Sequence, residues 1–345
     1  MSSEDVTALP HIDIGSNGHC ADYIEPAEAF ISEDDAPVQY IIPELLPVGV
    51  IMLIHGEPRA RKTLAGFEFA LAAATGTPAF GLNRFAPPRP VTTLYIQEED
   101  PRNLTRPRLR ALIRERCGRA PDTLHVSVRR GVNLDDRRWV TRIITDCQRL
   151  GVSLLVLDAA RRLSALTDEG PAKVRELTGV LRRIVIEADV SIVIVHHDVK
   201  PPSNGNDQRR RSQRASGGDW FAACECPVHV EKVGDESLAF PEDFKFTTDP
   251  APFKFRCETE GGLITRLVGS DTTTEQAEAA GAREKLLAWL RSQGPAPKTA
   301  MKQAGFGWET IQKHLAALME AGKVDSRPGR KAGTNVYFVV EEASS

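Results

Sequence analysis

Phosphate binding is the first chemistry that the residue types and their spacing suggest. The stretch LIHGEPRARKTLAGF, residues 53 to 67, runs from an apolar strand into Gly56 and then opens an apolar helix with Lys62 and Thr63. Glu57, Pro58, Arg59, Ala60 and Arg61 lie between, so the expected binding segment extends from Gly56 to Leu64. A glycine that lets the backbone turn, inward-pointing N–H groups and the positive end of a helix dipole make an anion site. Lys62 would neutralise distal phosphates, and Thr63 would offer its hydroxyl to Mg²⁺. The pattern departs from G-x-x-x-x-G-K-[ST] at one position, where Arg61 replaces the second glycine. If that position is left-handed, a side chain there costs roughly 1–2 kcal/mol, while Arg59, Arg61 and Lys62 together raise the local positive potential.

Three further groups follow in order. LYIQEEDP places Glu98, Glu99 and Asp100 at the end of a strand, where a carboxylate can orient or deprotonate a water that attacks a phosphate; a solvated acidic turn is the alternative. SLLVLD closes on Asp158, a carboxylate suited to holding Mg²⁺ through water. SIVIVHHDVK ends in His196 and His197, and an imidazole there can hydrogen-bond a terminal phosphate.

These groups need a sheet to position them. Short apolar runs at Val50–Ile54, Thr92–Gln97, Leu124–Val128, Ser153–Asp158 and Ser191–His196 alternate with longer helical patterns. That alternation predicts an α/β fold with βαβ units on a mostly parallel sheet, and ligands of such sheets bind at the carboxyl ends of the strands. DFKFT, FKFRCE and LITRLV, between residues 236 and 268, predict an antiparallel extension of the sheet.

Charge is distributed unevenly along the 345 residues. No lysine or arginine precedes Arg59, and residues 1 to 36 read as an acidic, mostly disordered arm. From Arg283 to Val340 there are ten basic residues against four acidic ones, which points to nucleic acid or to a solvated charged surface. No apolar run reaches the roughly 18 residues of a membrane span. No basic segment followed by an apolar one opens the sequence, so the expectation is a cytoplasmic protein without membrane contact. Six scattered cysteines predict buried thiols.

The last segment, residues 283–345 after an expected linker or helix start at 271–282, contains AREKLLAWLRSQG, KTAMKQAG, WETIQKHLAALMEAG and the basic two-strand element KVDSRPGRKAGTNVYFVV. That order resembles a winged helix-turn-helix domain, which would make Thr310, Gln312, Lys313, Arg327, Arg330 and Lys331 candidates for contact with duplex DNA; packing on a neighbouring domain or a protein partner is the alternative.

Taken together, Gly56, Lys62, Thr63, Glu99 in EEDP, Arg108 in RLRAL, Asp158 and HHDVK resemble the RecA-like ATPases of the RepA hexameric helicase type over about residues 37–270. The resemblance implies ATP and Mg²⁺ as ligands, Glu99 as catalytic base, Asp158 and Thr63 at the metal, His197 as γ-phosphate sensor and a homo-oligomeric, hexameric ring. It also implies a basic group supplied by a neighbouring subunit, with Lys232, Lys245 and Arg256 as candidates. The loop after His197 carries Arg209, Arg210, Arg211 and Arg214, and by the resemblance it would line a pore and touch single-stranded DNA. The function implied is an ATP-hydrolysing motor or remodeller acting on DNA; a nucleotide-gated DNA-binding regulator or loader is the alternative.

Overall fold

The computed structural model describes residues 26–32, 37–168, 170–198, 219–329 and 334–340. The chain divides into two units, Met1–Val38 and Gln39–Ser345. In the first, α1 (Ala27–Ser32) is a short helix with Ile31 exposed, and most of the expected acidic arm lies outside the described residues.

The second unit is built on a nine-stranded sheet. A small hairpin, β1 (Tyr40–Ile42) with β2 (Leu46–Pro47), precedes β3 (Ile51–Gly56), which feeds α2 (Lys62–Thr75). Next come β4 (Thr93–Gln97), α3 (Arg102–Cys117), β5 (Leu124–Val128), α4 (Arg137–Leu150) and β6 (Leu154–Asp158). The short helix α5 (Ala160–Leu163) and the longer α6 (Pro171–Ala188) lead into β7 (Ser191–His197). After α7 (Asp219–Ala223), strands β8 (Cys226–Val233), β9 (Glu236–Pro241), β10 (Phe253–Glu260) and β11 (Leu263–Asp271) complete the sheet. The strand order is β11-β10-β9-β8-β3-β7-β6-β4-β5. Pairing is parallel from β8 through β3 to β5 and antiparallel from β8 to β11.

Alternation explains why the central strands read as unbroken apolar runs. On β3, Met52 and Ile54 enter one core while Ile51 and Leu53 enter the other; Val193 and Val195 against Ile192 and Ile194 repeat the division on β7. Both faces are covered, so both sets must be apolar. One core is completed by α2 and by aromatic residues such as Phe80 and Phe253, the other by α4, α6 and α7. Leu64 and most of α2 are buried all round, which is why that helix shows no polar face.

The antiparallel extension differs from expectation in one strand. DFKFT is not a strand: Asp243 has φ 59° and Phe246 is 62 % exposed. The strand is ESLAFP just before it, whose Leu238, Ala239 and Phe240 are buried. The ladder runs one residue past Pro241, with the Glu242 N–H donating to the Pro227 carbonyl at 3.1 Å, and the left-handed Asp243 turns the chain away.

Residues beyond β11 form a smaller helical part. α8 (Thr274–Gln293) starts within the segment expected as linker or helix start, behind a capping box of Thr273 and Gln276. A 3₁₀ turn at Ala300–Ala304 and α9 (Trp308–Glu320) follow. Strands β12 (Ala296–Pro297), β13 (Val324–Pro328) and β14 (Asn335–Val339) make a separate sheet in the order β12-β14-β13. Leu287, Leu290, Met301, Ile311, Leu315 and Tyr337 share one core between these elements. No helix among the described residues is long and apolar enough to cross a membrane.

Candidate functional site

The loop between β3 and α2 has a geometry that its sequence only partly announces. Gly56 adopts φ +153°, and a Cβ there would lie 2.1 Å from the Val230 carbonyl oxygen on β8, so no side chain fits. Arg59 and Arg61 have φ of 70° and 69°, both in the left-handed region. Arg61 thus takes the backbone conformation that a glycine would supply, at the expected cost of roughly 1–2 kcal/mol. Its side chain turns outward, with Nη1 donating to the Asp235 carbonyl at 2.5 Å on the turn between β8 and β9.

Lys62 opens α2 and is buried, with Nζ donating to the Gly56 and Glu57 carbonyls at 2.8 and 2.7 Å. Burial pulls its ammonium down to about 8, against the opposing pull of Asp198, Glu99 and Asp158. Glu57 and Pro58 are exposed, Ala60 is buried, and the Ala60 carbonyl accepts from Ser237 on β9.

Thr63 and Asp158 meet as expected. The Thr63 hydroxyl donates to Asp158 Oδ1 at 3.3 Å, and the Tyr95 hydroxyl donates to Oδ2 at 2.6 Å. Asp158 is fully buried, and desolvation pushes its carboxyl up to about 6. A divalent cation placed among these oxygens would reverse that tendency, because a metal favours the ionised carboxylate.

At the end of β4 the three acids separate by environment. Glu98 is buried and accepts from the backbone N–H groups of Arg130, Gly131 and Val132, so it braces the loop after β5. Asp100 pairs with Arg108 at 2.8 Å. Glu99 meets His197: its Oε2 lies 3.2 Å from His197 Nε2, and that hydrogen bond keeps the carboxyl below its ordinary range. His197 Nδ1 is buried with no hydrogen-bond partner among the described residues. His196 points the other way, buried against Trp220 with ring centroids 4.9 Å apart, and burial pushes it down to about 3.

Sequence reasoning missed two parts of the arrangement. Tyr95 is one; an aromatic residue in a buried strand reads as core, and only the register that sets β4 beside β6 brings it to Asp158. The other is a chain of buried groups beneath the loop. Asp198 Oδ1 lies 2.7 Å from His55 Nδ1 and Oδ2 lies 3.1 Å from His229 Nε2. His229 Nδ1 in turn faces Glu231 at 3.3 Å. Asp198 sits inside HHDVK and His55 directly precedes Gly56, but pairing across β7, β3 and β8 could not be seen in the chain order. The ligand-type atoms of His55, Asp198 and His229 lie within 4.8 Å of one another. Both carboxylate oxygens are already engaged by imidazoles, and the Lys62 charge acts on His55 and Asp198 alike, so the cluster reads as a hydrogen-bonded support rather than a cation site.

Other expected contacts are dispersed. Arg209, Arg210, Arg211, Arg214, Arg330 and Lys331 lie outside the described residues. Lys313 lies on the exposed side of α9, 3.8 Å from Glu275. Arg327 stacks over Phe338 at 5.6 Å. Of the candidates for action on a neighbouring subunit, Lys232 is exposed, Lys245 donates to the Ala222 carbonyl at 2.7 Å and Arg256 pairs with Glu258 at 3.1 Å.

The donor set fits a nucleotide phosphate with Mg²⁺: an ammonium turned onto loop carbonyls, the N-terminus of a buried helix, and a threonine hydroxyl against a carboxylate. The crystal structure of the RadB recombinase is similar at 15 % identity, covering 61 % of this chain and 88 % of that one, with a TM-score of 0.42. No curated protein matches the sequence. Residues 24–203 match the AAA_25 family, described as an AAA domain. With just over half of its length in that match, and a phosphate loop whose lysine, threonine and strand-end aspartate converge, the chain belongs to the AAA_25 family of AAA domains and carries a P-loop nucleotide-binding ATPase core.

Proposed function

We propose that the protein hydrolyses ATP with Mg²⁺ and uses the turnover to act on DNA, as a RecA-like motor or remodeller of the RepA helicase type. The observation that carries this reading is the Glu99–His197 pair, 3.2 Å apart at the open carboxyl edge of the sheet, beside Lys62 and the Thr63–Asp158 pair. Mg²⁺ would be held by the Thr63 hydroxyl and the Asp158 carboxylate, and it supplies charge neutralisation on the phosphates. Tyr95 fixes the Asp158 carboxylate by holding its second oxygen. Lys62 exchanges its two loop carbonyls for phosphate oxygens. Glu99, kept ionised by its hydrogen bond to His197, orients a water and accepts its proton as the water attacks the γ-phosphorus. His197 turns with the phosphate, because the same ring that faces Glu99 ends the strand that leads into the arginine-bearing segment.

DNA enters the reading through that segment, Arg209 to Arg214, and through the C-terminal helices and hairpin, whose order in the sequence resembles a winged helix. A ring with single-stranded DNA in its pore and duplex on the C-terminal part follows from the same resemblance. Arg61 favours one alternative, a nucleotide-gated DNA-binding regulator with little turnover. Steady-state ATP hydrolysis with and without single-stranded DNA, beside Lys62→Ala, separates the two. Hydrolysis that DNA accelerates and Lys62→Ala abolishes supports the motor; tight ATP binding without turnover removes it.

A further inference from the structure

A groove at the outer edge of the sheet is bordered by charges of one sign. Between α3 and β5 lies a cavity of about 510 Å³ with an apolar floor that includes Leu109, Ile113, Leu124 and Val126. Arg102, Arg106, Arg110, Arg114, Arg119 and Arg130 rim it, and no acidic side chain lines it. Four of these recur at every fourth residue of α3, a spacing at which like charges destabilise a helix. Arg102 donates to the Val128 carbonyl, and Arg114 meets Glu260 at 3.4 Å between two exposed side chains. Arg106 and Arg110 are exposed and have no carboxylate partner among the described residues. A one-signed stripe against an apolar floor is a poor solvated surface and a good receptor for an anion with apolar parts.

The strand edge narrows the choice of partner. β5 ends the sheet and pairs only with β4. The Thr93 N–H donates to the Thr123 carbonyl and the Arg129 N–H to the Gln97 carbonyl, at 2.7 and 2.8 Å. Odd-numbered residues of β5 therefore turn their peptide groups toward β4, and Leu124, Val126 and Val128 turn theirs away from it; the Leu124 N–H donates to the Pro121 carbonyl and the Val128 carbonyl accepts from Arg102, which leaves the N–H and carbonyl of Val126 at the open edge. Val126 is 50 % exposed there. Open edge amides and carbonyls pair with an extended polypeptide. Bases would find no stacking surface, since no aromatic residue lines the groove.

We propose that this groove docks an extended acidic segment of a partner protein, in which a short apolar run is flanked by carboxylates. The apolar side chains enter the floor, the backbone pairs with the edge at Val126, and the carboxylates meet the α3 arginines through charge-assisted hydrogen bonds. The test is fluorescence anisotropy of the full chain with a labelled peptide of three apolar residues between aspartate pairs. Binding should be saturable and salt-sensitive, and weakened at least about tenfold by Arg106→Glu with Arg110→Glu and again by Val126→Asp. Folding is checked by melting temperature, which these exposed positions should leave unchanged. The proposal fails if an all-aspartate peptide binds as well, which would leave only non-specific charge, or if the peptide does not bind saturably. It also fails if a labelled thymidine oligonucleotide, and not the peptide, depends on the two arginines. Loss of self-association in the double variant without peptide binding would assign the groove to a second copy and overturn it too.

Discussion

His197 and Asp198 are consecutive residues, yet they belong to opposite kinds of histidine–carboxylate cluster. His197 faces Glu99 with side-chain exposures of 28 % and 34 %, and a water can reach both. Asp198 is 2 % exposed and joins two imidazoles at 0 %. Where solvent enters, the pair is open to a ligand, as its proposed role requires. Where it does not, a polar atom left without a partner costs free energy; both Asp198 oxygens are engaged by the two imidazoles, while His55 Nε2 is buried with no hydrogen-bond partner among the described residues. The difference shows that burial, and not residue type, sets the two clusters apart at this edge of the sheet. The buried cluster also ties down the loop, since the Asp198 N–H donates to the Gly56 carbonyl at 3.0 Å and His55 directly precedes that glycine.

The largest effect expected is on stability. Asp198→Ala strands two buried imidazoles and should destabilise the fold by about 3–5 kcal/mol, measured by urea unfolding. Glu99→Gln should change stability by no more than about 0.5 kcal/mol while lowering ATP turnover roughly 10²- to 10⁴-fold. If Asp198→Ala is mild in unfolding and severe in turnover, the two clusters are not distinct in the way their burial suggests.

A pH series sharpens the same contrast. Burial holds His55 at about 4, below the ordinary 6.5 of an imidazole, so the folded state keeps it neutral where the unfolded chain takes up a proton. Its contribution is present above pH 6.5 and lost as pH falls toward 4, on the order of 3 kcal/mol in all. His229 is opposed by burial but lifted by Asp198 and Glu231, with a net shift upward, so its contribution is present below pH 6.5 and lost as pH rises. Urea midpoints should therefore fall on the acid side through His55 and on the alkaline side through His229. His55→Asn keeps a donor near Nδ1 and should flatten the acid limb; His229→Gln keeps one near Nε2 and should flatten the alkaline limb. Equal slopes in wild type and both variants would mean that the cluster does not titrate as placed.

The contrast also marks what the residues alone reveal. The apolar runs of β3, β4, β6 and β7 lie where the sequence puts them, because a strand buried on both faces has no other pattern available, and the half-exposed edge strand β5 also lies at its expected place. Lys62, Thr63, Asp158, Glu99 and His197 stand at strand or helix ends and were legible for that reason. The choice among Glu98, Glu99 and Asp100 needed backbone geometry, since only the positions of Arg130 to Val132 show that Glu98 is spent on support. Tyr95, His55 and His229 were hidden because their partners come from neighbouring strands far apart in sequence. The arginines of α3 recur at every fourth residue, but their common floor on β5 comes only from the fold.

The smallest effect concerns Arg61, and it bears on the loop that the buried cluster supports. Arg61→Gly removes a left-handed side chain worth about 1–2 kcal/mol of strain and adds unfolded-state freedom worth roughly 0.4–1 kcal/mol. It also gives up the hydrogen bond to the Asp235 carbonyl, which ties α2 to the turn after the strand that carries His229. The net change in stability should stay within about 1 kcal/mol, and turnover should stay within about threefold of wild type. Arg61→Ala keeps the backbone strain and loses the same bond, so it should be the less stable of the two. A large rise in turnover for Arg61→Gly would mean that the arginine restrains the chemistry despite its outward placement, and the gated binder would then replace the motor.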